Sequence, residues 1–383
     1  MKTIIIGAGV AGPALGTFLR RLGYEVDLYE ARGEDEGDGA FLGLAPNGLN
    51  VFAELGLAAR VRAEGIESKG FRFFNARGQP IGAIDGTQDE ARFGAPLVIA
   101  RRGALQRATL DVAIAAGVRV HFGHRLAALD QGPGVTARFE NGLEARGDLL
   151  IGCDGLRSRT RALALPKSPE PKFVGQLSFG GSGRVDAPEL EVGLNVMVFG
   201  QRAFFGATRA KDGEVWWFHN DGDADPRRAL TDTEARQRIL DQHADDPAWI
   251  SALVKSSPRL LGPWALHDIV SLPRWHSGRV CLIGDAAHAT TPNAGQGASL
   301  ALEDAMVLAK CLRDEPTVEA AFAKLEAIRK PRVEPIVKAS RRIGSTKVST
   351  NPVGLWLRDR LMPTFLKFGA KAQAAEYGHR IDW

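Results

Sequence analysis

Cysteine is scarce in this chain: Cys153, Cys281 and Cys311 are the only three in 383 residues. So few thiols, odd in number, exclude a disulfide framework and point to a reducing compartment. No run of about 18 apolar residues occurs, so no membrane span is expected. The opening Met1-Lys2 and apolar stretch are broken by Gly7, Gly9, Gly12 and Gly16, with Arg20-Arg21 close behind and no cleavage pattern, unlike a secretory leader. A cytoplasmic protein is expected. Basic blocks are missing too: 49 Lys and Arg against 45 Asp and Glu leave a net charge of +4 spread along the chain, which does not suit nucleic-acid binding. There is no Gly-x-Ser-x-Gly elbow and no cluster of His, Cys and carboxylates. Hydrolase and metalloenzyme chemistry therefore lack support, and no metal ligand is assigned. His121 and His124 read as surface residues, and Glu34-Asp35-Glu36 with Asp38 as a solvated loop. Internal repeats and low-complexity segments are absent.

What is present is an ordinary globular composition, 44% hydrophobic and 25% charged, long enough for more than one core. Residues 2–6, 12–22 and 25–30 read as strand, helix and strand, a βαβ unit. Helices are expected over 46–55 and 102–116, the second ending at Gly117, followed by a strand over 118–122. Asn141-Gly142 between apolar runs predicts a hairpin with a type I′ turn, before a strand at 149–151. From about 166 to 262 the pattern turns β-rich, with strands expected at 173–180, 194–199, 202–208 and 214–219 and helices at 231–241 and 247–254. A strand at 279–283 returns to the first domain. Helices follow over 297–312, over 316–343 with an interruption near Pro331 and Pro335, and over 353–367. The domains are therefore expected at 1–165 with 263–312, at 166–262, and at 313–383.

Two motifs carry the chemistry. Gly7-Ala8-Gly9-Val10-Ala11-Gly12 follows a strand and opens a helix, the context for dinucleotide binding. Gly7 permits the tight turn, Gly9 lets backbone approach a pyrophosphate, and Gly12 allows close helix–strand packing. Glu30, ending the second strand near Arg32, is placed to accept hydrogen bonds from a ribose and disfavours a 2′-phosphate. This motif alone does not separate FAD from NAD. The second runs from Gly278 through Ile283-Gly284-Asp285 and Thr291-Pro292-Asn293-Ala294-Gly295-Gln296-Gly297 to Glu303-Asp304. A strand, a Pro/Gly loop and a helix N-terminus with free N–H groups suit an anionic or electron-rich ring system.

This second motif resembles the Gly-Asp segment of the FAD-dependent, single-component (group A) aromatic-hydroxylase-type monooxygenases. Gly152-Cys153-Asp154-Gly155 resembles the family's Asp-Gly segment, with Cys153 where a small residue is usual. Arg102-Gly103-Ala104-Leu105-Gln106 resembles an element whose Arg and Gln meet the FAD phosphate or ribityl chain; Arg101 is an alternative, since the doubled Arg leaves the register open. Gly39-Ala40 and Pro46-Asn47 match the segment under the flavin. The resemblance covers the first 160 residues and 264–312 well and is weak between 166 and 262. It implies that Asp285 bonds a ribityl hydroxyl and that Pro292 shapes the loop beside the ring. The amides around Gly295, Gln296 and Gly297 would face flavin N1 and O2, and Asp154 would serve the pyrophosphate and nicotinamide.

The fold implied is α/β: a Rossmann-type FAD-binding domain, an inserted β-sheet substrate domain and a C-terminal helical segment. The activity implied is that of an FAD monooxygenase. NADH or NADPH would act as transient reductant, and O2 would add as a flavin C4a-hydroperoxide that hydroxylates or epoxidises an aromatic or polycyclic small molecule. The cofactor carries the chemistry, so no catalytic side chain is assigned. An FAD reductase or dehydrogenase without oxygen insertion is the alternative, and a non-enzymatic flavin-binding protein a further one. No Trp-x-Trp-x-Ile-Pro segment is present, against the halogenase branch. Only one glycine-rich fingerprint occurs, so no separate nicotinamide domain is expected. For the substrate wall, alternation puts Arg202 and Phe204 on one face and Trp216 and Phe218 on another. Phe204, Trp216 and Phe218 are the candidate aromatic lining, Arg202 a candidate anchor for an anionic or carbonyl oxygen, and Trp216 is favoured over Trp217. His288 is expected to brace its loop rather than transfer protons.

Overall fold

A computed structural model describes residues 1–34, 40–347 and 351–383. Asp35, Glu36, Asp38 and Gly39, singled out above, lie outside these. A six-stranded sheet runs in the order His276–Ser277, Val280–Leu282, Leu149–Gly152, Lys2–Ile6, Glu25–Tyr29, Arg119–His121. All neighbours are parallel except the short strand at the first edge. Its central strands are apolar because both faces are covered. The helices Ala11–Arg21 and Gly297–Asp314 bury Leu15, Phe18, Leu302 and Met306 against Ile5, Leu28 and Ile151. The strand order reverses around Lys2–Ile6, and the motifs at Gly7, Glu30, Gly152 and Gly284 follow the carboxyl ends of these strands, where open α/β sheets bind ligands, while Pro46 and Arg102 follow strands of a separate three-stranded sheet.

The second layer is a seven-stranded sheet in the order Leu260–Asp268, Lys172–Gly183, Val215–Gly222, Ala203–Arg209, Leu194–Phe199, Gly70–Asn75, Pro80–Asp85. The sheet is thus not confined to 166–262. Gly70–Asn75 pairs in parallel with Leu194–Phe199, and Leu260–Asp268 extends the other edge. One face, carrying Phe205, Trp217 and Phe179, packs on the helices Asp232–Gln242 and Ala248–Ser256 through Ile239, Ile250 and Leu253. The other face turns toward the parallel-sheet domain. Thr231 opens the first of these helices with a capping box to Glu234.

Three local expectations are corrected. Gly142 has φ +84°, but among the described residues none other than glycine has positive φ, so the turn is not type I′. Instead the Gly142 N–H donates to the Phe139 carbonyl and glycine takes the left-handed position of a bulged hairpin. The helix Val318–Lys347 continues through Pro331 and Pro335. Tertiary packing of Val333, Ile336 and Val337, with buried Arg329 between them and the preceding helix, compensates for the missing N–H donors. The last helix spans Pro352–Tyr377 and packs Met362 and Leu366 on the edge of the seven-stranded sheet. Among the described residues no helix is long and apolar enough to cross a membrane.

Candidate active site

The glycine turn is held from three sides. Gly7, at φ +109°, lies so close to the neighbouring crossover that a Cβ would stand 2.4 Å from the Cys153 carbonyl. Glu30 accepts the Ala8 N–H at 2.8 Å and the Arg32 N–H at 3.0 Å, so its carboxylate fastens the turn to the end of the second strand. Gln106 donates to the Ala8 carbonyl at 2.7 Å. A Cβ on Gly12 would lie 2.1 Å from the Gly7 carbonyl, whereas one on Gly9 would meet nothing within 4 Å. Gly12 therefore serves packing, and Gly9 leaves open space beside the backbone.

Asp285 follows Gly284 at the mouth of the same cleft. Its side chain is accessible, yet protein surrounds it. That burial raises its pKa against the opposing charges of His288 and Arg102. Among the described residues no hydrogen-bond donor takes up this carboxylate. The doubled arginine now separates in space. Arg101 pairs with Glu214 at 2.8 Å and lies over the Trp216 ring, 4.7 Å from its centroid, while Arg102 opens the helix Arg102–Ala115 and acts on Asp285. Asp154 is engaged within the chain. It accepts Ser158 Oγ at 2.5 Å, Thr160 N–H at 2.9 Å and Thr160 Oγ1 at 3.0 Å, at the start of the helix Arg159–Ala164.

The loop Pro292–Ala294 leads through Gly295, at φ +63°, into Gly297–Asp314, an 18-residue helix that no side chain caps. Its first N–H groups carry the positive end of the helix dipole. Gln296 is fully buried; its Oε1 accepts from Asn47 at 3.1 Å, and its Nε2 has no partner. Behind the loop lies a buried ionic network that sequence reasoning did not assign. Asp304 accepts the Gly284 N–H at 2.9 Å and lies 2.5 Å from His288 Nε2 and 2.6 Å from Arg329 Nε. Glu303 takes Asn47 Nδ2 at 2.6 Å and both arms of Arg332 at 2.8 Å. His288, packed 5.0 Å from the Trp275 ring, braces its loop in this way. Glu303-Asp304 stand in the motif itself, but nothing local marks Arg329, a cation within a long helix.

On the seven-stranded sheet, Phe204 lies opposite Asn220, Gly206 opposite Phe218 and Thr208 opposite Trp216. Phe204, Trp216 and Phe218 therefore share one face, the face toward the cleft, and Trp217 is on the other, stacked on Phe205. Phe41 joins them across the domain boundary, 5.8 Å from Trp216 and 6.4 Å from Phe218. Trp216 is buried and donates its indole N–H to Glu214 at 2.8 Å; Phe218 keeps part of its surface open. Arg202 does not join this group. It sits exposed before the strand, paired with Asp245 at 2.9 Å, because the alternation that links it to Phe204 breaks at the strand's first residue, Ala203.

The open space at Gly9, the unpartnered Asp285 carboxylate, the uncapped helix at Gly297 and the free Gln296 amide suit the phosphates, hydroxyls and polar ring edge of FAD. Comparison with known proteins agrees. A family model described as an FAD binding domain matches residues 1–340. The aurachin C monooxygenase/isomerase of Stigmatella aurantiaca is 33% identical over 364 residues, 94% of each chain. An FAD-dependent urate hydroxylase of Klebsiella pneumoniae is 30% identical over 350 residues, 89% of each chain. The crystal structure of Klebsiella pneumoniae HpxO complexed with FAD and uric acid superposes with a TM-score of 0.89 at 26% identity, covering 99% of this chain and 97% of that one.

Proposed function

The chain belongs to the FAD-dependent monooxygenases of the aromatic-hydroxylase type, and from that premise we propose that it uses NADH or NADPH and O2 to hydroxylate or epoxidise an aromatic or polycyclic small molecule. The observation that supports the reading is that Phe204, Trp216 and Phe218 share one face of the seven-stranded sheet, with Phe41 packed against Trp216 and Phe218. Bound FAD, once reduced by the nucleotide, would supply the activation of O2, one atom of which goes to the substrate and the other to water.

The residues of the chain hold, orient and shield. Gly7, Gly9 and Gly12, with Glu30, Arg32 and Gln106, shape the turn for the pyrophosphate and ribose. Arg102 faces the phosphates, and Asp285 accepts a hydroxyl of the ribityl chain. Asp154 acts at one remove, fixing the turn beside Gly7. Pro292 and Gly295 shape the loop, and the backbone N–H groups of Gln296 and Gly297 at the uncapped helix N-terminus would face the ring edge, where negative charge gathers on reduction. Phe218, part of its surface open and backed by fully buried Phe204, offers an apolar wall that orients an aromatic ring and excludes water. No side-chain acid or base is required. Purified enzyme incubated with NADH or NADPH and a panel of aromatic compounds should oxidise the nucleotide faster with the right compound and return a product heavier by one oxygen atom. Nucleotide oxidation that no compound stimulates would remove the reading.

A further inference from the structure

Lys347, the last residue of the helix Val318–Lys347, is buried against the aromatic wall. Its Nζ lies 4.1 Å from the Phe204 ring centroid and 6.0 Å from that of Phe218. Among the described residues it has no carboxylate partner, and a buried cation left without one is costly. Burial lowers its pKa to about 7. Unpaired amides surround the same place. Asn220, opposite Phe204 on the neighbouring strand and 1% exposed, has neither Nδ2 nor Oδ1 bonded. Gln176 Oε1 and Asn293 Oδ1 are likewise buried and without partners. Gly344 brings them together, since a Cβ there would lie 2.4 Å from Asn293 Nδ2 and 3.2 Å from Gln176 Nε2. Asn293 belongs to the loop that begins at Pro292.

Buried amides and cations are ordinarily satisfied, so three unpaired amide oxygens, one unpaired amide N–H and an ammonium, linked through Phe204 and Gly344, describe the complement of a ligand that carries both an anionic group and a donor. We propose that Lys347, with the amide N–H of Asn220, is a specificity pocket for an anionic oxygen, carboxylate or phenolate, on the aromatic substrate, and that the acceptor oxygens of Gln176, Asn220 and Asn293 take N–H or O–H groups of the same molecule. The ring would lie against Phe218, with Phe204 packed behind it, and the oxygen against the ammonium. This rests on the monooxygenase reading for the use of the site, not for its binding chemistry. Arg202, the cation expected from sequence to fill this role, is already committed to Asp245 at the surface.

Equilibrium dialysis of the FAD-loaded enzyme tests it with matched probes: salicylate against salicylamide, and para-nitrophenolate against para-nitroanisole. One pair reads a carboxylate and the other a phenolate. At least one anion should bind roughly tenfold or more tightly than its neutral partner, the size of a charge-assisted hydrogen bond. Lys347→Met should abolish that preference, Lys347→Arg should keep part of it, and Asn220→Ala should weaken the anion with a smaller effect on the neutral probe. The melting temperature of ligand-free Lys347→Met holoenzyme should rise, because an unpaired buried cation has been replaced by an apolar chain. A lysine that merely supports the fold would give a fall. Equal constants for anion and neutral partner, no anion bound at all, or a preference that survives Lys347→Met would overturn the assignment. Oxygen transfer is read separately from product mass, so failure of the monooxygenase reading and failure of this pocket appear in different measurements.

Discussion

We propose that cofactor retention turns on Asp285. Its carboxylate faces the cleft with no donor from the described residues, and burial raises its pKa, so a ligand hydroxyl gains a strong acceptor there. Asp285→Ala should weaken FAD binding by about 1.5–3 kcal/mol, the value of a hydrogen bond to a charged group. Fluorescence titration of the apoprotein with FAD measures this, and an unchanged dissociation constant would place the ribityl chain elsewhere. The aromatic wall divides by burial. Phe218, part of it open to the cleft, should on replacement by Ala release more hydrogen peroxide per NAD(P)H consumed while the protein stays yellow. Trp216 is packed with Ile66, Leu97 and Ile99. Its replacement by Ala should instead destabilise the protein by about 3–5 kcal/mol in denaturant titration. Alternation along one strand puts Trp216 and Trp217 on opposite faces. That Phe204 shares the face of Trp216 depends on cross-strand register, which no single segment encodes.

At the scale of elements, the loop of Asp285 and the helix of Gly297 are tied to the helix Val318–Lys347 through Asp304, Glu303 and Arg329. Burial pushes the Asp304 pKa up, but His288 and Arg329, with the Gly284 N–H, outweigh it and hold the group at about 2, against an ordinary 3.8. The folded state thus favours the carboxylate. The stability it contributes is present above the ordinary value and is lost as pH falls through the folded one, between roughly pH 4 and pH 2. Acid unfolding should steepen in that window, and Asp304→Asn should flatten it while lowering stability at neutral pH. Arg329→Met, which strands two buried carboxylates, should cost about 3–5 kcal/mol. An acid transition identical in wild type and Asp304→Asn would show that other carboxylates control it. Glycine and proline marked these elements only where geometry is local. The turn at Gly7 and the loop at Pro292 were legible, while the continuity of the helix through Pro331 and Pro335 depends on partners far away in sequence.

At the scale of the molecule, the parallel sheet and its ligand-bearing edge were readable because each strand–turn–helix junction carries its own glycine or carboxylate signal. The second sheet was only half readable. Its strands at 70–85 have weak alternation and pair with a segment more than a hundred residues later, a contact with no local signature. The pocket at Lys347 was invisible for the same reason, since it is assembled from the end of one helix, two strands and the Pro292 loop. Together the two layers set the glycine turn at Gly7, Asp285 and the helix at Gly297 on one side and the aromatic face of the seven-stranded sheet on the other. The central claim is that oxygen passes from O2 to an aromatic ring there. The most direct measurement is turnover under isotopically heavy O2 in ordinary water, with NADH or NADPH and a compound that stimulates nucleotide oxidation. The account predicts a product carrying one heavy oxygen atom, formed with consumption of one reduced nucleotide. A reduced or dehydrogenated product without the label, the behaviour of a flavin reductase or dehydrogenase on this fold, would contradict it.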